Sequence, residues 1–400
     1  MYYNRNLITA EQHPTDAVEA SGVFNLAAQA YSQSEKDWPI LDDDFDVAFR
    51  IELGTARQAK ITRHTLGPVT YTVDWGDGTA LSTETDVSVA HNYSSSGIYI
   101  IKLKRVSGAD FSVNNFSFSV ITGVFFNANY SAPSKISFLE QVILKDLGLH
   151  FSAYQNVTDL SQAFRFCTFL EEFPLINVSS CTNFYSTWFA CHALKTFPAL
   201  SFNSATNLSS AWERCYSLHT FPSITNTSNV TNFYNAWKDC LSLTTFPLID
   251  TSGGTNFQES WRDCASLASF SSINTSSGTN FYQSWYNCLK LTTFPSLNFG
   301  SATTFRQAWQ DCHALTTFPA NMFDSTGSLA SNAFFRAFED CSLTAQSIEN
   351  ILTSLDTNGA TGIQLHIGGG SNASYSTWSQ AAKDALTSLQ GKSWSVTYNS

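Results

Sequence analysis

The stretch Val230-Thr231-Asn232-Phe233-Tyr234-Asn235-Ala236-Trp237-Lys238-Asp239-Cys240-Leu241-Ser242-Leu243-Thr244-Thr245-Phe246-Pro247-Leu248-Ile249-Asp250 is one copy of the unit that organises this chain. Phe233, Trp237 and Cys240 stand at i, i+4 and i+7, the spacing that places three side chains on one face of a helix of about two turns. Thr231 or Asn232 can cap the start of that helix by accepting a hydrogen bond from an otherwise unpaired amide. Thr244-Thr245-Phe246 favour β structure and Pro247 excludes a helix around it, so a short strand is expected next, with Leu243, Phe246 and Ile249 turned inward.

An aromatic residue three places before a cysteine recurs on both sides of this copy. The pairs are Phe164/Cys167, Trp188/Cys191, Trp212/Cys215, Trp237/Cys240, Trp261/Cys264, Trp285/Cys288, Trp309/Cys312 and Phe338/Cys341, with cysteines 24, 24, 25, 24, 24, 24 and 29 residues apart. The inward strand residue is Phe173, Phe197, Phe221, Phe246, Phe270, Phe294 or Phe318, followed by proline except at Ser271. One such unit leaves its apolar faces bare at both ends, and stacking covers each face with the next copy. The period falls in the range of leucine-rich repeats, so residues 160–341 are expected to form a right-handed parallel solenoid of that type. The Trp and Cys columns are expected to be core, with the cysteines as buried free thiols acting as small apolar groups. Cys181 stands outside the repeat position.

Asn226-Thr227-Ser228-Asn229-Val230-Thr231-Asn232-Phe233 and the aromatic-x-x-Cys-x-x-Leu that follows carry a resemblance to the BspA-like leucine-rich repeats of surface proteins. The chain departs from that pattern by using Trp where Phe is usual, and Phe-Pro where a Leu-Asp-Leu strand is usual. The resemblance implies the solenoid and a surface role, and the departures put transfer of any ligand preference in doubt.

Upstream the period changes to two: Phe45, Val47, Phe49, Ile51, Leu53; then Val69, Tyr71, Val73, Trp75; then Ile98 to Leu103. Such runs, broken by Gly and Asp/Asn turns, predict antiparallel strands in a β-sandwich over residues 42–122. Val73-Asp74-Trp75-Gly76-Asp77-Gly78-Thr79, then His91-Asn92-Tyr93, then Gly97-Ile98-Tyr99 resemble the PKD (polycystic kidney disease) family of immunoglobulin-like domains, which often precedes such repeats. Gly76 and Gly78 permit a tight turn with positive φ, Asp77 can satisfy turn amides, and Tyr93 can anchor a strand corner. Asp74, Asp77 and His91 are read as structural, since no nucleophile motif accompanies them.

The full expectation is thus an α+β, multidomain chain. Residues 1–41 form an N-terminal arm, 42–122 the sandwich, 123–159 a transition and N-terminal cap, 160–341 the solenoid, and 342–400 an α-β-α-β C-terminal cap. In the cap, helices are expected from Ser342 to about Leu355 and from about Thr377 to Leu389, with strands at Thr361–Ile367 and Trp394–Tyr398. Gly368-Gly369-Gly370 lacks the G-K-[ST] that a phosphate loop needs. The string Ser21-Gly22-Val23-Phe24-Asn25-Leu26 with Trp38-Pro39 resembles a short segment of phage virion and tail proteins, which implies that the arm docks onto a particle. Asp42, Asp43, Asp44 and Asp46 read as a solvated linker or a calcium site.

A net charge of -11 with 21 Lys+Arg and no basic run argues against nucleic acid or an anionic membrane as partner. Only 13% of residues are charged, against about 25% in ordinary domains, so the surface is built from neutral polar groups. Residues near Met1 show no signal-peptide core, and there is no 18-residue apolar run for a membrane span. With no Ser-His-Asp, H-E-x-x-H or paired-acid constellation, the chain is expected not to be an enzyme and to need no cofactor or metal. The expected role is a virion-associated tail fibre or adhesin, or a protein of the bacterial cell surface, that assembles with copies of itself and with other virion proteins through its arm. It would present a host glycan or protein with the column Thr196, Thr220, Thr245, Ser269, Thr293 and Thr317 and with Tyr185, Tyr234, Tyr282 and Arg306. A capsid decoration or tail-assembly protein with no receptor role is the alternative.

Overall fold

The computed structural model describes residues 45, 47–53, 57–62, 69–85, 88–108, 121–126, 146–149, 157–173, 175–224 and 226–400. The N-terminal arm and the Asp42–Asp46 cluster lie outside the described residues.

Among the described residues eight strands precede the repeats: β1 (Val47–Leu53), β2 (Gln58–Thr62), β3 (Val69–Asp74), β4 (Ser82–Glu84), β5 (Ser88–Asn92), β6 (Gly97–Gly108), β7 (Ile121–Phe126) and β8 (Asp146–Leu149). Six form one sheet in the order β4-β3-β6-β1-β7-β8, and β2 pairs with β5. Alternation along β1 and β3 buries Phe49, Ile51 and Leu53 with Tyr71 and Val73. Ala48 and Phe45 bury on the other face against Ile100, so β1 is covered on both sides. The sheet does not stop at residue 122. β7 runs across that boundary and pairs antiparallel with β1, and β8, from the expected transition, adds to β7 in parallel. The second edge of β1 needs hydrogen-bond partners, and these later strands supply them.

The β3–β4 connection carries the W-G-D-G residues. Gly76 has φ 73, and a Cβ there would lie 2.3 Å from the carbonyl oxygen of Ile100, so the turn excludes any side chain. Asp74 Oδ1 accepts from the Gly76 amide at 2.9 Å, and Asp77 Oδ1 accepts from the amide and hydroxyl of Thr79 at 3.1 and 2.6 Å. The Tyr93 hydroxyl donates to the Trp75 carbonyl at 3.0 Å, fixing the corner from below.

From Val157 onward the chain winds into successive coils of the repeat period. Parallel bridges link equivalent residues of neighbouring coils: Asp159 to Asn183, Asn183 to Asn207, Asn207 to Asn232, Asn232 to Asn256, Asn256 to Asn280 and Asn280 to Thr304 on one side. On another side the links are Glu172 to Thr196, Thr196 to Thr220, Thr220 to Thr245 and Thr293 to Thr317. There β9 (Thr245–Phe246) and β10 (Ser269–Phe270) are the longest pieces of regular strand. They stay short because proline at 198, 222, 247, 295 and 319 removes the next donor. Where Ser271 replaces proline, its hydroxyl donates to the Phe246 carbonyl at 2.8 Å.

The expected two-turn helix at Phe233–Cys240 is not formed. The segment consists of two consecutive turns, with Asn235 at φ 54 and Asp239 at φ 60. The amides of Ala236, Lys238 and Cys240 donate three residues back, to Phe233, Asn235 and Trp237, at 3.0–3.1 Å. The amides between them leave the coil altogether: Phe233, Asn235, Trp237 and Asp239 donate to the carbonyls of Asn256, Gln258, Ser260 and Arg262 at 2.8–3.0 Å. A helix would keep every amide in its own segment. Here every second one joins the next coil, which requires a left-handed residue two places after each inward aromatic. Ser186 and Ala190, Glu259 and Asp263, Gln283 and Asn287, and Gln307 and Asp311 repeat this pair at φ 51–61. Left-handed backbone costs about 1–2 kcal/mol per non-glycine residue, so the inter-coil bonds must outweigh that strain.

Inside the turns Val230, Phe233, Trp237, Cys240, Leu243, Phe246 and Ile249 are all buried, and so are their counterparts in the other coils. Trp188, Trp212, Trp237, Trp261, Trp285 and Trp309 stack face to face, with centroids 5.3–5.8 Å apart. The stack ends on Phe164 at one side and Phe338 at the other.

The last coil passes its amides to a cap of α1 (Ala345–Asn358), β11 (Gln364–His366), α2 (Gln380–Gly391) and β12 (Ser395–Thr397). Phe338 N donates to His366 O at 3.1 Å and Asp340 N to Gly368 O at 3.2 Å, so the ladder runs into the cap. Thr344 and Ser379 cap the helices, which therefore start about three residues later than expected. β11 and β12 are parallel neighbours. Gly369 and Gly370 pack on Asp340 and Cys341, and a Cβ at Gly370 would meet the Cys341 carbonyl at 2.5 Å, so close packing accounts for the glycine run.

Candidate binding surface

Bridges join Thr196, Thr220, Thr245 and Ser269 in one run and Thr293 to Thr317 in another, and all six side chains, at one repeat position, are exposed. Their partners along the strand, Phe197 to Phe318, are buried, so pleating turns the hydroxyls outward. Successive positions lie about 4.8 Å apart, the separation of neighbouring strands.

Tyr185, Tyr234 and Tyr282 occupy one repeat position in alternate coils, with Ser209 and Gln258 between them. Tyr185 is 42% exposed and the other two are half-buried. Ring-to-ring spacing is therefore two coils, about 9–10 Å. Arg306, in the next coil, lies over the Tyr282 ring at 5.8 Å, so the line ends on a cation rather than a fourth bare position.

An asparagine column sets this face, and sequence reasoning missed it. Asn183, Asn207, Asn232, Asn256 and Asn280 each accept, through Oδ1, from the amide two residues on, at 3.0–3.1 Å. The amides they hold include those of Tyr185, Tyr234 and Tyr282. Asn207 and Asn256 also donate to the asparagine of the preceding coil at 3.1 and 3.3 Å. Beside them runs a second exposed column, Thr182, Thr206, Thr231, Thr255, Thr279 and Thr303. Each of its hydroxyls donates to the threonine carbonyl one coil back at 3.0–3.4 Å. The Thr-Asn pair before each inward Phe or Leu was the visible signal.

Beneath the surface, Cys191, Cys215, Cys240, Cys264, Cys288, Cys312 and Cys341 donate their thiols to the carbonyl of the aromatic residue in the preceding coil, at 3.0–3.3 Å. All nine cysteines are free and buried, and burial pushes the thiols of Cys240, Cys264 and Cys288 well above the ordinary range. Cys181, outside the column, is pushed up to about 12 by burial. These thiols are hydrogen-bond donors in the buried core.

Charged side chains of the turn face pair both across and within coils. Lys238 reaches Glu259 at 2.7 Å, and Arg262 binds Glu259 at 3.1 Å and Asp263 at 3.0 Å. Ahead of the coils, Asp77 Oδ2 meets His91 Nε2 at 2.7 Å, and His91 stacks on Trp75 at 4.8 Å. Burial raises the Asp77 pKa, but the bonds from Thr79 and His91 outweigh it and hold the carboxyl at about 2. His192, His219 and His313 lie in separate coils. Among the described residues no three His, Cys, Asp or Glu side chains converge on a point where a metal could sit. No described helix is long and apolar enough to cross a membrane. No protein-family model matches the chain, and no curated protein matches it.

Proposed function

We propose that this chain is a non-enzymatic recognition protein, a tail fibre or surface adhesin of a virion, whose coils form a right-handed solenoid of the BspA-like leucine-rich-repeat type. The reading rests on one observation: six exposed hydroxyls, Thr196 to Thr317, recur at one repeat position, with backbone bridges joining Thr196 through Ser269 and Thr293 to Thr317 and their neighbours buried behind them. A surface whose backbone is already fixed loses little entropy when it binds, and repeated weak contacts add. The W-G-D-G turn with its Asp77–His91 contact supports a PKD-like sandwich that serves as a spacer ahead of the coils, and the arm docks the protein to its particle.

Purified protein should bind host cells, and Thr220→Lys with Thr245→Lys in the middle of the column should abolish that binding. Exposed substitutions of this kind shift stability by no more than about 0.5 kcal/mol, so the melting curve should hardly move. Absence of cell binding by the unaltered protein, together with a copy number matching a capsid lattice, would overturn the reading in favour of a decoration protein.

A further inference from the structure

The repeat places an arginine over an aromatic ring twice at equivalent positions. Arg262 lies over Tyr286 of the next coil at 5.0 Å, and Arg165 lies over Phe189 at 5.1 Å. Around Arg262 three bonds engage the fork: Nη1 donates to Glu259 at 3.1 Å and Gln283 at 2.7 Å, and Nε donates to Asp263 at 3.0 Å. The residues equivalent to Glu259 and Asp263 in the first coil are Gln162 and Phe166. The Arg165 Nη1 has only the Gln162 amide oxygen at 3.3 Å, and its Nε is buried without a partner. Among the described residues no carboxylate oxygen lies within 4.0 Å of this guanidinium.

The second change is on the far side of the ring. Where Asp311 stands one coil beyond Tyr286, Arg214 stands one coil beyond Phe189, with its guanidinium 5.6 Å from the ring centroid. Arg214 has one loose contact, to Asp239 at 3.5 Å. Three acids of the filled arrangement are thus replaced by an amide, a ring and a second cation, in a chain whose net charge is -11. In the same and following coils Phe169 is 50% exposed, and the half-buried His192 stacks on the half-buried Tyr216 at 4.6 Å.

From this we infer that Arg165 and Arg214 form a site for a carboxylate-bearing saccharide such as a uronic acid unit. Gln162 and the Phe166 ring, 4.7 Å from the Arg165 guanidinium carbon, fill the places that Glu259 and Asp263 hold around Arg262, so the carboxylate meets the outer donors of the two guanidiniums and the sugar ring lies on the neighbouring aromatic rings. A planar guanidinium held flat by rings presents its outer donors to a carboxylate in a fixed pairwise geometry, which lysine cannot match. The inference deepens the recognition reading by naming a ligand chemistry for one end of the coil stack.

The experiment uses the full chain with a fluorescent hexamer of galacturonate, a neutral glucose hexamer and hexaglutamate as probes. Galacturonate should bind best and weaken as salt is raised. Arg165→Gln should reduce binding at least tenfold, while Arg262→Gln, whose fork is already occupied, should leave it within twofold. The double variant Gln162→Glu/Phe166→Asp rebuilds the filled fork and should abolish binding with the fold intact, which keeps the test clear of unfolding. Equal binding of the neutral hexamer, no effect of Arg165→Gln, or hexaglutamate binding as tightly as galacturonate would each overturn the acidic-sugar site. Host-cell binding retained in Arg165→Gln alongside any of these results leaves the recognition reading standing, so the two fail separately.

Discussion

Trp237→Phe is the most informative single change in the coil stack. The indole is wholly buried, stacked on Trp212 at 5.4 Å and Trp261 at 5.8 Å, with Phe221 and Phe246 edge-on at 5.3 and 4.8 Å. Its Nε1 has no hydrogen-bond partner, and neither does that of the other five stacked tryptophans. Shrinking the ring to phenylalanine leaves a cavity of a few tens of Å³, which at about 24 cal/mol per Å³ costs about 1 kcal/mol. Deleting a buried, unpaired donor returns about 1–3 kcal/mol. The net expectation runs from no change to about 2 kcal/mol of stabilisation, although core aromatic residues are normally costly to shrink. Trp237→Ala removes the stacking and edge contacts as well. It should cost about 3–5 kcal/mol less the same relief of about 1–3, a net loss of up to about 4 kcal/mol that exceeds the phenylalanine variant's in every case. The chain makes the phenylalanine choice itself at both ends of the column, at Phe164 and Phe338. Urea titrations of the wild type and both variants, with equal slopes, would rank them directly. A loss above about 2 kcal/mol in Trp237→Phe would refute the reasoning, because it would mean that the indole N–H donates to the face of Phe221 or Phe246.

The nine buried thiols should resist a thiol reagent in the native protein and all react after denaturation without reductant; fewer than eight would show disulfides. Asn256→Ala removes both the bond to the Gln258 amide and the bond to Asn232, so it should cost about 1–3 kcal/mol in a melt, while Asn256→Asp, which keeps the amide bond, should cost less. Because the folded pKa of Asp77 is depressed to about 2, its contribution to the stability of the strand region is complete above the unfolded value of about 4 and disappears between about pH 4 and pH 2. Asp77→Asn should flatten the acid limb of the pH–stability curve in that window, and an unchanged limb would contradict the depressed value.

The period made the inward residues legible. Phe233, Trp237, Cys240, Leu243, Phe246 and Ile249 face the core at the positions that a repeat of about 24 residues marks. It did not reveal the backbone between them, because i, i+4, i+7 suits two consecutive turns as well as it suits a helix. The distinguishing signal was chemical. Asn235, Asp239, Asp263, Asn287 and Asp311 are residues that tolerate left-handed backbone, and they recur two places after an inward aromatic. The exposed threonine line could be addressed from strand alternation, whereas the asparagine column could not. Asn232 reads as a helix cap in one copy, and only stacking shows it bonded to its counterpart in the next. Arg165 was hidden for the same reason: what sets it apart from Arg262 is the identity of its neighbours, which the fold alone brings together. The first sheet runs past residue 122 because β7 and β8 contribute backbone pairing, which hydropathy patterning does not register.

The alternating amides also fix how this surface can change. Each coil is hydrogen-bonded to the next through every second donor of its turn segment, so a coil cannot slide against its neighbour by a fraction of a residue without breaking the whole set. Groups on the outside are consequently separated by whole multiples of one coil rise, about 4.8 Å. Distances to a ligand can be retuned only by choosing which coils carry the contacting residue, as the tyrosines do by skipping one. The molecule measures in integers.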